Sequence, residues 1–426
     1  MEDNTFENYP SPSPSPLRGG AGGGAQKHEI MDLKDIVVIA ACRTAMGRFG
    51  GSLKDIPAID LGAIAIREAL VRASLRGEQV DEVILGSCRQ AGNGPNPART
   101  ASVRAGIPNS VPAVTVNMAC PSGMRSVAMA AQSIRLGESE IVIAGGFENM
   151  SSIPYLLKGA RWDGFKMGNK ILEDGWSDSI DPLIGQGMGD TAENLFDKYG
   201  ILRSEQDEYA VTSHQKASAA QKNGWFSEEI APIILPGKKD QPPLIFDQDE
   251  TIRHDISIEK LGALKPAFRK TGTVTAGNSC GLSDGAVALV VTNRIKAAQL
   301  GIKPLFSIVS YAQTAVDPST MGEGPANAIP LALKNAGLTL KDMDLIEVNE
   351  AFAVQVLANE KVLNWDRSKL NVHGGSIALG HPTGISGARI LVTGYHALKR
   401  IGKTHCIASI CGGGGVTTAM VIRMER

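Results

Sequence analysis

Apolar and polar positions alternate along this chain in a rhythm that occurs twice. The segment IREALVRASLRGEQVDEVILGS (66–87) sets Ile, Ala and Leu at helical spacing, breaks at a turn, then enters a short apolar run. That pattern predicts an amphipathic helix followed by a buried strand. IPLALKNAGLTLKDMDLIEVNE (329–350) repeats the design, and in both copies the aspartate opening the strand (Asp81, Asp344) lies 15 residues beyond the leading isoleucine. A second unit follows each copy. CPSGMRSVAMAAQSIRLGESEIVIAGG (120–146) starts 39 residues after Asp81, and HPTGISGARILVTGYHALKRIGKTHCIASICGG (381–413) starts 37 residues after Asp344. Each reads as a polar residue, Pro, a small hydroxylated residue and Gly, then a helix and a β-rich strand ending in glycines.

Helices alternating with buried strands predict an α/β fold with helices on both faces of the sheet. Two stacked halves of this kind would set Cys120 and His381 at equivalent places. Each sits at a helix N-terminus just past a strand, and a pseudo-twofold axis would make them neighbours. Between the halves, over about 151–281, the pattern loosens into a loop-rich insertion with one long helical segment around 190–222. This stretch carries Lys158, Arg161, Lys166, Lys170, Lys238, Lys239, Arg253, Lys265 and Arg269, a basic lining suited to a phosphorylated ligand.

The start of the chain follows other rules. SPSPSPLRGGAGGGA is low-complexity and buries too little apolar surface to fold, so residues 1–31 are expected to be a disordered tail, with Met31 as a natural start for the structured part. Glu2, Asp3 and Glu7 argue against an organelle transit peptide.

Composition narrows the function. The 426 residues suffice for two or three compact units, and 43% hydrophobic with 20% charged residues is the balance of a soluble globular protein. With 43 basic and 44 acidic side chains the net charge is −1, so no global field draws the chain to nucleic acid or membrane. No apolar run approaches the ~18–20 residues of a membrane span. The six cysteines show no CxxC pair, metal-type spacing or secretory leader, which points to a reduced, cytoplasmic setting and no metal site.

Cys120 is the centre of the expected chemistry. At the first turn of a helix it would face unsatisfied N–H groups and the positive end of the dipole, which favour the thiolate. Gly123 is expected to allow close approach of backbone to substrate. VNEAF (348–352) puts Asn349 at the C-terminal end of a strand, where α/β folds place ligands. GHPTG (380–384) puts an imidazole between two glycines, where His381 can act as base toward a thiol and donor to an oxyanion. Cys411 precedes four glycines and offers a second acid/base beside amide donors.

Together these segments resemble the thiolase family. VNMACPSGM (116–124), FENMS (147–151), TAGNSCGLSDGA (275–286), VNEAF (348–352), NVHGGSIALGHPTGISGARI (371–390) and ICGGGG (410–415) match its motifs in order, over about 33–425. The resemblance implies duplicated βαβαβαββ halves forming a five-layered α-β-α-β-α core with an inserted loop domain. The boundaries expected are 32–150 plus 282–303 for the N-terminal half, 151–281 for a CoA-covering loop domain, and 304–426 for the C-terminal half. It further implies an acyltransferase that cleaves 3-ketoacyl-CoA with CoA to acyl-CoA plus acetyl-CoA, or runs the reverse Claisen condensation, as in fatty acid β-oxidation.

In that scheme Cys120 carries the acyl group, His381 takes its proton, and Cys411 exchanges the α-proton of acetyl-CoA. His381 and a water on Asn349 hold the enolate oxygen, while the N–H groups of Cys120 and Gly413 hold the acyl-enzyme oxyanion. Arg253 matches a position near the nucleotide, and Phe268, Met321 and Phe352 match walls of the pantetheine tunnel. Met188, Ala276 and Cys280 complete the implied CoA and substrate contacts. No cofactor or metal is implied beyond CoA and acyl-CoA as substrates, and a homo-oligomer (dimer or tetramer) is expected.

Three departures qualify the match. Gly187 stands where short-chain acetoacetyl-CoA enzymes carry histidine, which favours a broader chain length, although Trp176 would partly refill the space. Cys280 stands where serine is common. His373 replaces an asparagine and reads as a structural histidine. The alternatives are a short-chain biosynthetic enzyme and, from another class, a non-catalytic acyl-CoA or lipid carrier. A ketoacyl-synthase-type enzyme would need histidine at Asn349.

Overall fold

The computed structural model describes residues 31–237 and 242–425, so the expected tail, Met31 apart, and Lys238 and Lys239 lie outside the described residues. The first half runs β1 (Ile36–Thr44), α1 (Ala58–Arg72), β2 (Glu82–Gly86), α2 (Pro97–Arg104), β3 (Ala113–Val116), α3 (Ser122–Leu136) and β4 (Ile141–Asn149). The insertion contributes α4 (Met188–Tyr199) and α5 (Arg203–Lys222), after which β5 (Ser283–Asn293) closes the first half. The second half runs β6 (Phe306–Ala315), α6 (Gly324–Ala336), β7 (Leu345–Val348), α7 (Ala353–Leu363), α8 (Ser386–Ile401), β8 (His405–Cys411) and β9 (Val416–Met424). The single helix expected around 190–222 is two helices, because the chain turns through a left-handed Gly200 between them.

The strands lie in the order β7-β8-β9-β6-β1-β5-β4-β2-β3. In each half the first strand pairs antiparallel with the last, the last pairs antiparallel with the strand before it, and that strand pairs parallel with an earlier one. Among the described residues, the strands of the two sets pair with each other only where Val37 and Val38 meet Ser307 and Phe306. The first half adds β3 beyond β2, whereas the matching place in the second half holds a single bridge between Ile346 and Leu370.

Most strands are rich in apolar residues because both of their faces are covered; β1, β4 and β5 are buried at every position, whereas the edge strand β3 is only partly covered. One apolar cluster joins α1 and α2 to the outer face of the first set of strands. A second fills the space between the sets, around α3 and α8. A third joins α6 and α7 to the outer face of the second set. The resulting order is helix, sheet, helix, sheet, helix, the expected five layers.

The repeated aspartates have repeated work. Asp81 Oδ2 accepts the N–H groups of Glu140 and Ile141 at 2.9 Å each, and Asp344 Oδ2 accepts those of Thr404 and His405 at 2.9 and 3.0 Å. Each carboxylate fixes the start of the parallel strand beside its own. In the middle layer α3 and α8 cross closely. A Cβ on Gly123 would lie 2.9 Å from the Gly384 carbonyl and 3.0 Å from that of Ile385, so glycine is required here for helix-to-helix contact. This corrects the expectation that Gly123 serves the approach of substrate.

Candidate active site

Cys120 lies in a tight turn between β3 and α3. Ala119 just before it adopts a left-handed φ of 51°, a strained conformation for a residue with a Cβ. Four contacts hold the turn. Ser122 Oγ donates to the Ala119 carbonyl at 2.6 Å and accepts from Met118 N–H at 2.8 Å; Asn117 Oδ1 accepts from Ala119 N–H at 3.0 Å; Cys88 Sγ donates to the Ala119 carbonyl at 2.9 Å. The strain is therefore fixed by three side chains, those of Ser122, Asn117 and Cys88.

The glycine run is an ordered turn from β8 to β9. Gly414 and Gly415 have φ of 77° and 80°, and a Cβ on Gly415 would meet the Val316 carbonyl at 2.2 Å. Gly412 N–H bonds the Val416 carbonyl, Gly414 N–H bonds Asp181 Oδ2 at 2.8 Å, and Gly413 N–H is left to face the Cys120 sulfur. Burial pushes the Cys120 thiol up to about 11, against the pull of the Arg89 charge and of the Gly413 and Cys120 N–H groups. The sequence reading expected a thiolate. Cys120 precedes the first helical residue by two positions, and desolvation outweighs the helix terminus. Cys411, fully buried, is pushed up to about 12, first by burial and then by the neighbouring Cys120.

His381 is buried, and burial followed by the Arg389 charge pushes it down to about 3, so the imidazole is neutral. Its tautomer follows from its neighbour. Ser386 Oγ donates to the Pro382 carbonyl at 2.9 Å and lies 2.6 Å from His381 Nδ1, so it accepts the Nδ1–H. Nε2 is then a bare acceptor, buried and without a protein partner. Asn349 is oriented by the same logic. Arg389 donates to Ser376 Oγ at 2.8 Å, Ser376 donates to Asn349 Oδ1 at 2.6 Å, and the Asn349 amide nitrogen is left buried and unpaired. A free acceptor and a free donor thus stand ready at these two residues.

Two carboxylates carry the loops. Glu148, at the end of β4, accepts the N–H groups of Cys88 and Arg89 at 2.9 and 3.0 Å, Thr383 Oγ1 at 2.9 Å and Gly384 N–H at 2.7 Å. It ties the turn after β2 to the turn holding His381. Glu350 accepts from Tyr209 at 2.8 Å, Ser213 at 2.7 Å, Asn371 at 2.9 Å and Ile377 N–H at 3.1 Å, and so ties α5 of the insertion to the loop after β7.

Of the expected substrate contacts, Phe352 packs edge-on to Phe268 with ring centroids 6.1 Å apart, and Cys280 N–H bonds the Ala351 carbonyl at 3.0 Å. Met321 is in the same apolar cluster as Phe352, and Met188 packs on that cluster with its sulfur beside Gly413. Arg253 and Ala276 are exposed and take no part in these contacts; the Arg253 backbone bonds His214 Nδ1 at 3.1 Å. Among the other basic residues, Lys158 pairs with Glu173 and Arg269 with Asp197. His373 is buried against Trp225 and Phe226 and held neutral, down to about 4 by burial, as its structural reading required. Ser376, Ser386, Arg389, Arg89 and Glu148 were not foreseen as site residues. Their side chains reach the site through tertiary contacts; only the motifs at 147–151 and 371–390 hinted at four of them, all but Arg89. Among the described residues no group of three or more His, Cys, Asp or Glu is placed to hold a metal ion, and no helix is long and apolar enough to cross a membrane.

Comparison with known proteins agrees with this geometry. Residues 36–294 match the thiolase N-terminal domain and 302–424 the thiolase C-terminal domain. An acetyl-CoA acetyltransferase of Cupriavidus necator is 50% identical over 92% of this chain and 100% of its own length. The acetyl-CoA acetyltransferase of Bacillus anthracis superposes with a TM-score of 0.89 at 46% identity, covering 92% of this chain and 99% of that one. Human mitochondrial 3-ketoacyl-CoA thiolase in complex with CoA superposes with a TM-score of 0.88 at 43% identity, covering 92% and 98%.

Proposed function

Since the chain belongs to the thiolase family, an acyltransferase family working on coenzyme A thioesters, we propose that Cys120 is the nucleophile that carries the acyl group. The observation that supports this most directly is the strained turn that presents the Cys120 thiol to the Gly413 N–H. A thiol pushed up to about 11 needs a base, and the bare Nε2 of neutral His381 is one.

In thiolysis His381 takes the Cys120 proton and the sulfur attacks C3 of 3-ketoacyl-CoA. The C2–C3 bond breaks, its electron pair forms the acetyl-CoA enolate, and Cys411 protonates C2. The acyl group stays on Cys120. The CoA thiol then attacks that thioester, its proton restoring the Cys411 thiol, and as acyl-CoA leaves the Cys120 sulfur takes back the proton held on His381. A Cys411 thiol pushed up to about 12 is a weak acid whose anion is basic enough to take the α-proton back in the condensing direction. The oxyanion on the acyl-enzyme lies against the N–H groups of Cys120 and Gly413, donors typically worth ~3–4 kcal/mol each. The Asn349 amide, its oxygen already tied to Ser376, holds a water against the enolate oxygen.

The insertion, 151–281, covers CoA, with Phe268 and Phe352 flanking the pantetheine and Arg253 toward the nucleotide. The CoA-bound human relative supports this reading. Gly187 supports a broad acyl chain length, since a Cβ there would meet only Asp190 Oδ2, at 3.4 Å. The unpaired outer edge of β3 supports a homo-oligomer. We place the enzyme in the cytoplasm on the reduced state of its six cysteines. A non-catalytic carrier is not favoured, because the relatives are named as enzymes. The test is CoA-dependent thiolysis of 3-ketoacyl-CoA substrates of increasing length, with Cys120→Ala alongside. The account expects turnover by the native chain and at least a thousandfold loss in the variant, on the scale of removing a catalytic nucleophile. Turnover by the variant would overturn it.

A further inference from the structure

Arg89 pulls the Cys120 thiol toward its anion, but the reaction above gives its Nε–H no acceptor. It follows β2, and its backbone N–H is fixed by Glu148, the carboxylate that also holds the His381 turn. Its guanidinium lies 5.0 Å from the centre of the Trp176 ring and donates to Ser179 Oγ at 2.7 Å. Among the described side chains no carboxylate pairs with it. Arg89 Nε and Trp176 Nε1 are both buried donors without a partner. Two such donors side by side, one of them charged, are costly unless an acceptor arrives.

The place says which acceptor. The charge of Arg89 reaches the Cys120 sulfur. The segment that carries Trp176 and Ser179 continues to Asp181, which bonds Gly414, and to Met188, whose sulfur lies beside Gly413. Arg89 therefore lies within electrostatic reach of the acyl-bearing cysteine, and Trp176 stacks on it from the segment that goes on to meet Gly413 and Gly414. A hydrocarbon tail would leave both donors empty.

We infer that Arg89 and Trp176 form a subsite for a carboxylate at the far end of the acyl chain, so that the preferred substrates are 3-ketoacyl-CoA thioesters of dicarboxylic acids. This inference rests on the thiolase reading of the same site and adds the substrate class to it. Thiolysis then gives acetyl-CoA and a carboxyacyl-CoA, with the carboxyacyl group on Cys120 in between and no change to the bonds made and broken. Guanidinium supplies charge and a fork of N–H groups, and the indole N–H supplies a neutral donor from the side. Reactions that oxidise the β-carbon of dicarboxylic acyl-CoA would supply such a substrate.

The test compares kcat/KM for two matched series of 3-ketoacyl-CoA, one ending in carboxylate and one in methyl, at equal chain length. The native enzyme is expected to favour the carboxylate series at its best length by about tenfold or more. Arg89→Gln is expected to cut that ratio on the order of ten- to a hundredfold, the range of a lost charge-assisted hydrogen bond. Trp176→Phe, which keeps the ring but not the donor, is expected to cut it less. Any effect of Arg89 on the Cys120 thiol touches both series alike and cancels in the ratio. Equal losses in both series would assign Arg89 to the cysteine alone and overturn the inference. A native preference for methyl-ended chains would overturn it too, while leaving the thiolase reading intact. Cleavage of neither series would sink both.

Discussion

Ser386 decides which nitrogen of His381 faces the reaction. Its hydroxyl is committed to the Pro382 carbonyl and accepts the Nδ1–H, leaving Nε2 as the base. Ser386→Ala should lower kcat about tenfold or more, with KM nearly unchanged, since the imidazole loses the contact that fixes its tautomer. Steady-state kinetics across pH check this, and a shifted pH–rate profile separates tautomer loss from simple destabilisation. Ser376→Ala should act likewise through Asn349, whose amide would be free to flip. The four residues proposed to do the chemistry stood out in the sequence because each sits in a short motif of unusual composition. Their orienting partners were not, because a serine or an arginine on a helix reads the same whether it faces a catalytic side chain or a neighbouring turn. The protonation state was also misread. A helix terminus is visible in sequence, whereas the burial that outweighs it at Cys120 is a property of the assembled site.

Among elements, the duplication was the most readable feature, because Asp81 and Asp344 perform the same hydrogen-bonding task at the same offset. What the repeat did not reveal is where one copy has been cut back: the counterpart of β3 survives only as the Ile346–Leu370 bridge. Nor did it reveal that Gly123 serves the crossing of α3 and α8. Gly123→Ala is expected to cost ~1–3 kcal/mol, because its new Cβ meets backbone atoms that cannot rotate aside. A lower urea midpoint, together with reduced kcat as the Cys120 and His381 turns are pushed apart, checks this prediction. An unchanged midpoint would mean the two helices yield more easily than close packing allows.

For the whole molecule, burial of neutral histidines sets the dependence of stability on pH. Burial pushes His214 and His373 down to about 4, and His381 and His396 to about 3, from an ordinary value of 6.5. These folded values are depressed, so below 6.5 the unfolded chain binds protons that the folded one refuses. Stability falls as pH drops from 6.5 toward 4, by at most ~1.4 kcal/mol per pH unit for each group. Glu347 works in the other direction. Burial pushes it up to about 8, so its contribution is lost as pH rises from 4.5 to 8. Four groups outweigh one below 6.5, and above that only Glu347 remains of this set. Denaturant unfolding across this range should therefore show greatest stability near pH 6.5, a steep fall on the acid side and a shallow one toward 8. The five-layered arrangement that buries these groups was legible as a fold class, since apolar strands need cover on both faces. The depth at which each histidine ended was not.

The central claim is that Cys120 carries the acyl group, and it can be read without kinetics. The native enzyme is mixed with 3-ketoacyl-CoA in the absence of free CoA, quenched in acid, digested, and its cysteine peptides weighed by mass spectrometry. The account predicts one acyl group, on the peptide containing Cys120, and its disappearance when CoA is added before the quench. An acyl group on the peptide containing Cys411, or none on any cysteine while acetyl-CoA is still released, would contradict it.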